Sequence, residues 1–397
     1  MKRGSVRTSA RLVFESSNIQ RASHVNPSNS AEFAQGLDSQ SRDEVNEPKM
    51  GLTTGTKIGV RALFSFKKIM KQYFLIVIGI VLATTIAFSQ NKTMNYNMEK
   101  VSFTSHGTEI KGILFIPDNR TKPLPAFTVL GPVAFVKEQS PMEYASRLAK
   151  SGFVVLIYDP RFHGESAGQP RRFESGKAKV EDISASINYL ETRKEVDKNW
   201  INMLGICQGA NWAIKASNAD KRIRSLSIVA GHYLIPETAD MYNGGSEQTN
   251  LRIEKAKSSK AKFEKSGEVE YIKIVKEKEE DIALLNFKHI AEWYLPWANH
   301  QPYFSFRGLW ENRITQMSEL ELWTTNIAGD IKNLQTPTLM VHADNAASGQ
   351  TIPKKLFELI PAKNKKLVWL GSQVQFQFYE ESLTIDKVIT EISNFLK

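Results

Sequence analysis

The residues best placed to do chemistry are Gly205-Ile206-Cys207-Gln208-Gly209, which hold the only cysteine in the chain. An apolar run, Trp200 to Leu204, leads into them, and a helix-forming run, Ala210 to Ala216, leads out. A nucleophile on a sharp strand-to-helix turn forces two backbones close together. The positions two before and two after it must then be small, and glycine carries no side chain to collide. Such a turn presents a thiol for attack on a carbonyl carbon and leaves the Gln208 N–H at a helix start, where it can donate to a developing oxyanion. The plainer reading of Cys207 is a small thiol that packs well in a core.

The elements that must hold this turn can be read around it. Val101 to Phe103 and Ile110 to Ile116 alternate apolar and polar about His106-Gly107, a hairpin signal. Pro125 to Leu130, Phe153 to Tyr158, Leu226 to Ala230, Thr336 to Val341 and Lys366 to Leu370 are apolar strand runs. Between them Met142 to Lys150, Val180 to Leu190 and Ile385 to Leu396 have helical periodicity. Strands alternating with helices give an α/β fold with a mostly parallel sheet covered on both faces, and a crevice at the carboxyl ends of its strands. Residues 235–330 break the rhythm: Lys, Glu and Ala dominate Leu251 to Asp281, and Trp293, Trp297, Phe304, Phe306 and Trp310 follow. They read as a helical cap inserted after the sixth strand, its charges a solvated helix face and its aromatics packing between cap and sheet.

Composition narrows the classes of function. The 397 residues, 41% hydrophobic, suffice for a sizeable core, with a net charge of +10. Residues 1–72 hold 12 basic side chains against 6 acidic ones, so most of the excess lies in the N-terminal part. The remainder has no basic stripe interleaved with aromatics, which argues against nucleic acid. A single cysteine forbids an internal disulfide, and no Cys/His group has metal-ligand spacing, so neither a metal nor another cofactor is expected. Residues 1–66 read as a disordered or non-native extension. Lys67 to Gln72 is basic, Tyr73 to Phe88 is a run of 16 apolar-rich residues, and Ala87-Phe88-Ser89 fits a cleavage site. Residues 67–89 are thus a signal peptide for export to the periplasm or the exterior, or else a signal anchor with residues 73–88 in the membrane; a span needs about 20 residues.

The order of these pieces resembles the α/β-hydrolase superfamily, specifically its dienelactone-hydrolase-like branch, over about residues 98–397. The stretches that carry the likeness are Val136 to Gln139, Tyr158 to Ser166, Gly205 to Gly209 and Phe376 to Tyr379. The resemblance implies a triad running nucleophile, acid, histidine along the chain. Cys207 and Asp344 take the first two places, and Gln375 stands in the histidine slot, because all seven histidines precede Asp344. A glutamine amide cannot accept the nucleophile's proton. A thiol loses less than a serine would, since the helix N-terminus should lower its pKa, and His232 and His342, near strand ends, are the candidate substitute bases. The oxyanion hole would use Gln208 with Val133 or Ala134, since Pro132 has no N–H. Two readings stay open: a hydrolase acting on a small-molecule ester or related acyl bond through Cys207, and a catalytically impaired descendant that binds a ligand or partner.

Overall fold

The computed structural model describes residues 96–118, 120–298 and 309–397; the extension at 1–66, the signal segment at 67–89, Phe304 and Phe306 lie outside them, as does the Trp297 side chain. The chain begins with a hairpin, β1 (Tyr96–Ser105) and β2 (Thr108–Pro117), turning at His106-Gly107, both with positive φ. There follow β3 (Leu124–Leu130), α1 (Ser140–Lys150), β4 (Val154–Tyr158), α2 (Gly176–Thr192), β5 (Val196–Ile206), α3 (Gly209–Ala219) and β6 (Ile223–Val229). After β6 come α4 (Pro236–Asn243), α5 (Ser246–Ser266), β7 (Tyr271–Val275), β8 (Ala283–Leu285), α6 (Lys288–Ala298), β9 (Ile314–Thr315), α7 (Ser318–Thr324) and α8 (Ala328–Ile331). The chain ends with β10 (Thr338–His342), α9 (Thr351–Glu358), β11 (Lys365–Trp369), α10 (Gln377–Glu380) and α11 (Ser382–Phe395).

Eight strands form one sheet in the order β1-β2-β4-β3-β5-β6-β10-β11. The hairpin joins it antiparallel through β2 and β4, and every pairing from β4 to β11 is parallel. β4 is buried at every position, as is β5 from Ile201 to Ile206, because helices cover both faces. Each fully buried aliphatic side chain there contributes about 1.5–3 kcal/mol. Local signals place the helices: Pro141 sits in the first turn of α1, and Ser175 caps α2 by accepting the Ala178 N–H at 3.2 Å.

β6 and β10 are neighbours in the sheet, so α4 to α8 form an excursion between them. This excursion is not wholly helical as the sequence suggested. It contains a small three-stranded sheet, β8-β7-β9, in which Ile272, Ile274 and Val275 are buried. The alternation that builds β7 spans only five residues inside a long charged stretch, too short to stand out there. Trp293 packs between cap and sheet as expected, stacking on Phe135 and Phe376 at ring centroid distances of 5.9 and 4.8 Å, whereas Trp310 lies against Tyr294, another cap residue. Among the described residues, no helix is long and apolar enough to cross a membrane.

Candidate active site

Cys207 follows β5 directly and has φ of +55°, a left-handed conformation that costs a non-glycine residue energy and persists only where its surroundings enforce it. The enforcement is visible. Its N–H is bound to the Val229 carbonyl at 3.0 Å, and its carbonyl accepts the Ala210 N–H at 3.1 Å, the start of α3. A Cβ at Gly205 would lie 2.8 Å from Ala213 Cβ and 2.9 Å from Ala210 Cα. One at Gly209 would lie 2.4 Å from the Gly131 carbonyl oxygen and 2.6 Å from that of Leu130. The two glycines therefore let α3 close onto β5 on one side and onto the loop after β3 on the other.

The thiol is not as the sequence suggested. It is 6% exposed, and burial pushes its pKa up to about 11, against the lowering influence of the Tyr379 hydroxyl, the Gln208 N–H and the Gln375 amide that face it. The helix start is present, but removal from water outweighs it. Tyr242 from α4 and Tyr294 from α6 also lie close enough to feel the sulfur's charge, and burial raises the pKa of both phenols first and foremost. Tyr379, from α10, is raised well above the ordinary range for the same reason.

Gln375 points into this group. Its Nε2 donates to the Tyr379 hydroxyl at 2.9 Å and to the Ala230 carbonyl at 3.0 Å, while its Oε1 accepts the Ala347 N–H at 2.7 Å. Asp344 is not its partner. The Asp344 carboxylate, two residues beyond β10, accepts the Trp369 indole N–H at 2.8 Å. The three-membered relay is thus not assembled in its expected form: the amide's hydrogens go to a carbonyl and a phenol, and the carboxylate is satisfied elsewhere.

The two substitute histidines are placed unfavourably for a base. Both ring nitrogens of His342 face backbone carbonyls, Nδ1 that of Ala343 at 3.0 Å and Nε2 that of Ala347 at 2.9 Å, and burial lowers its pKa. His232 stacks on Tyr242 at 4.6 Å, and burial takes it down to about 4, so it is neutral at pH 7. Its Nε2 has no hydrogen-bond partner among the described residues. Neither ring is among the groups found facing the sulfur.

The loop after β3 has its own support, which the sequence did not reveal. Ala134, at φ of +55°, gives its N–H to the Glu174 carboxylate at 3.1 Å, which removes it from the expected oxyanion pair. Val133 keeps an N–H without a partner among the described residues. Glu174 is fully buried and also meets Lys179 and His163. Burial works to raise its pKa, but the Lys179 ammonium and the contact with the His163 ring prevail and hold it at about 2. Further along, Lys137 Nζ lies 2.7 Å from Glu138, 2.7 Å from Asp159 and 2.5 Å from Glu165. These three carboxylates are close enough together to hold a metal ion, but the lysine ammonium already supplies the positive charge. Arg161 binds Asp182 and Glu181, and Glu165 binds Lys137, so both tie down the loop after β4.

Comparison with known proteins agrees with this architecture. The family model described as serine aminopeptidase, S33, matches residues 140–261, a stretch that includes the turn at Cys207. The chain is similar to the uncharacterized protein YcjY of Escherichia coli, 38% identical over 136 residues, which are 33% of this chain and 44% of that protein. It is similar to PA2218 of Pseudomonas aeruginosa, 29% identical over 254 residues, 63% of this chain and 67% of the relative. A thiohydrolase of Eupenicillium brefeldianum is 34% identical over 121 residues, 30% of this chain and 38% of that enzyme. The match thus spans less than half the length of YcjY and of the thiohydrolase. The crystal structure of PA2218 superposes with a TM-score of 0.65 at 24% identity, covering 76% of this chain and 95% of that one. With its mostly parallel sheet, its flanking helices and its strand–turn–helix at Cys207, the chain has the α/β-hydrolase fold.

Proposed function

We propose that this protein is an exported enzyme of the dienelactone-hydrolase-like type that cleaves or transfers an acyl group through Cys207, by way of an acyl-cysteine. The observation that carries the reading is the strained turn at Cys207, whose sulfur faces the Gln208 N–H at the start of α3. A thiol held at positive φ between two enforced glycines is costly to maintain for packing alone. The Gln208 and Val133 amides are the donors for the oxyanion, each on a segment fixed by the close approach at Gly209. A small-molecule acyl substrate suits the ring of aromatic side chains from α4, α6 and α10 around the sulfur, and the similarity to a protein named a thiohydrolase favours a thioester among acyl compounds.

The test is mass spectrometry and steady-state assay on a panel of small esters and thioesters. The wild type should form an acyl adduct on Cys207, and Cys207→Ala should form none and lose all turnover. Gln375→His should raise turnover, by up to about 100-fold if an imidazole there reaches the sulfur as a base. A wild type that never acylates, or a Cys207→Ala variant with full activity, contradicts the proposal.

A further inference from the structure

The orientation of one amide decides where a proton points. The Ala347 N–H can only donate, so the Gln375 atom that meets it must be the oxygen. The Ala230 carbonyl can only accept, so the atom beside it is the nitrogen. The second hydrogen of that nitrogen then goes to the Tyr379 oxygen at 2.9 Å. Tyr379 is an acceptor toward Gln375 and must direct its own hydrogen elsewhere; the sulfur of Cys207 is its other hydrogen-bond partner, whereas the nearby Tyr294 phenol acts on it through charge alone. The ring has no freedom to turn away: it is 2% exposed and wedged by Phe135, Trp293 and Phe376 at centroid distances of 5.4, 5.3 and 5.8 Å.

We propose that Tyr379 is a catalytic residue of the cysteine site, its hydroxyl carrying the Cys207 proton to the leaving atom of a thioester substrate while Gln375 holds it in place. This rests on the acyl-transfer reading above. The Cys207 sulfur bonds to the carbonyl carbon, and the bond from that carbon to the departing sulfur breaks. In the resting site the Tyr379 hydrogen is directed at the Cys207 sulfur. When the substrate sulfur enters, the hydroxyl hydrogen turns to it while the ring stays fixed, and the Cys207 proton passes to the Tyr379 oxygen as the Tyr379 proton passes to the departing thiolate. Tyr379 ends as it began, the products are acyl-Cys207 and a free thiol, and no strong base is consumed. The second half runs in reverse, an incoming nucleophile giving its proton to Tyr379 as Tyr379 protonates Cys207.

This explains how a site without a histidine beside the sulfur can work, and it selects the substrate. A phenol held this far above its ordinary pKa stays protonated and is a poor acid by itself, but it can give one proton as it receives another. Such a relay serves best where the two sulfurs are of similar basicity, as in thioester exchange, and poorly where an alkoxide must leave. Gln375 is a positioning residue in this scheme.

The experiment is single-turnover acylation of the full chain, followed by intact mass, with a series of acetyl thioesters whose leaving thiols run from arylthiols to alkylthiols. Tyr379→Phe keeps the ring and removes only the hydroxyl. It should slow acylation by alkyl thioesters about 100-fold and by aryl thioesters far less, steepening the dependence on leaving-thiol pKa. Gln375→Leu, which frees the hydroxyl without removing it, should show the same steepening to a smaller degree, and it serves if Tyr379→Phe does not fold. Equal rates and an unchanged dependence in the folded variant overturn the relay while leaving acyl transfer intact. A wild type that is alkylated at high pH yet never acylated overturns the acyl-transfer reading itself, and the relay with it.

Discussion

At Gln375, where the resemblance leads one to expect an imidazole, the side chain has two donor hydrogens and one acceptor, and every one of those groups is satisfied. The sequence drew attention to this position but did not reveal what the amide would hold. Tyr379 stood in a stretch noted only for its likeness to known hydrolases; its spacing of four residues from Gln375, one helical turn, was the signal available for the contact. Cys207 itself was readable because glycines at fixed spacing report on backbone crowding. Its acidity was not, because burial depends on what packs above it. With its pKa near 11, only about one thiol in a thousand is ionised at pH 8. Iodoacetamide should therefore label the native chain slowly at pH 8, and the rate should climb until about pH 11; a plateau near pH 9 contradicts this burial. The sign for stability follows. The folded state favours the neutral thiol, so its contribution is complete below about pH 9 and is lost as pH rises through about 11.

The eight strands of the main sheet and the helices α1, α2, α3 and α11 were recovered from the sequence with only their ends uncertain, since buried parallel strands and periodic helices carry strong patterns, whereas the short elements β8, β9, α9 and α10 were not. β7 in the cap was missed, and so was the support of the loop after β3, because Glu174, Lys179 and Ala134 come from segments with no shared motif. Two variants test these elements. Gly209→Ala places a Cβ against two carbonyl oxygens of the neighbouring loop, not against a flexible side chain, so it should cost about 1–3 kcal/mol in urea unfolding and displace the Val133 amide. Glu174→Gln leaves Lys179 buried without its counter-charge and should cost about 3–5 kcal/mol, with unchanged stability as the result that contradicts it. The Glu174 carboxylate is depressed to about 2, so its stabilisation is present above about pH 4.5 and fades as pH falls toward 2. The acid limb of the wild-type stability curve should shrink in Glu174→Gln.

For the whole molecule, the α/β class followed from the alternation of strand and helix, whereas the division of labour between sheet and cap required coordinates. The sheet supplies Cys207, the loop amides and the turn at Gln375, and the cap supplies Tyr242 and Tyr294. The proposal of export makes a separate prediction: the secreted chain should begin near Ser89 or Gln90 by N-terminal sequencing, and a mature protein beginning before Tyr73 contradicts it. A chain started at Gln90 should melt as cooperatively as the longer form. Trp293 connects the two parts most directly. Its indole lies flat between Phe135 of the loop after β3 and Phe376, with interplanar angles of 5° to each, and its N–H reaches the Glu380 carboxylate at 3.0 Å, one residue past Tyr379. Any guest that lifts helix α6 must slide this indole out of its sandwich and tug the turn bearing the phenol, so admission of a substrate and the poise of the hydroxyl are geared together.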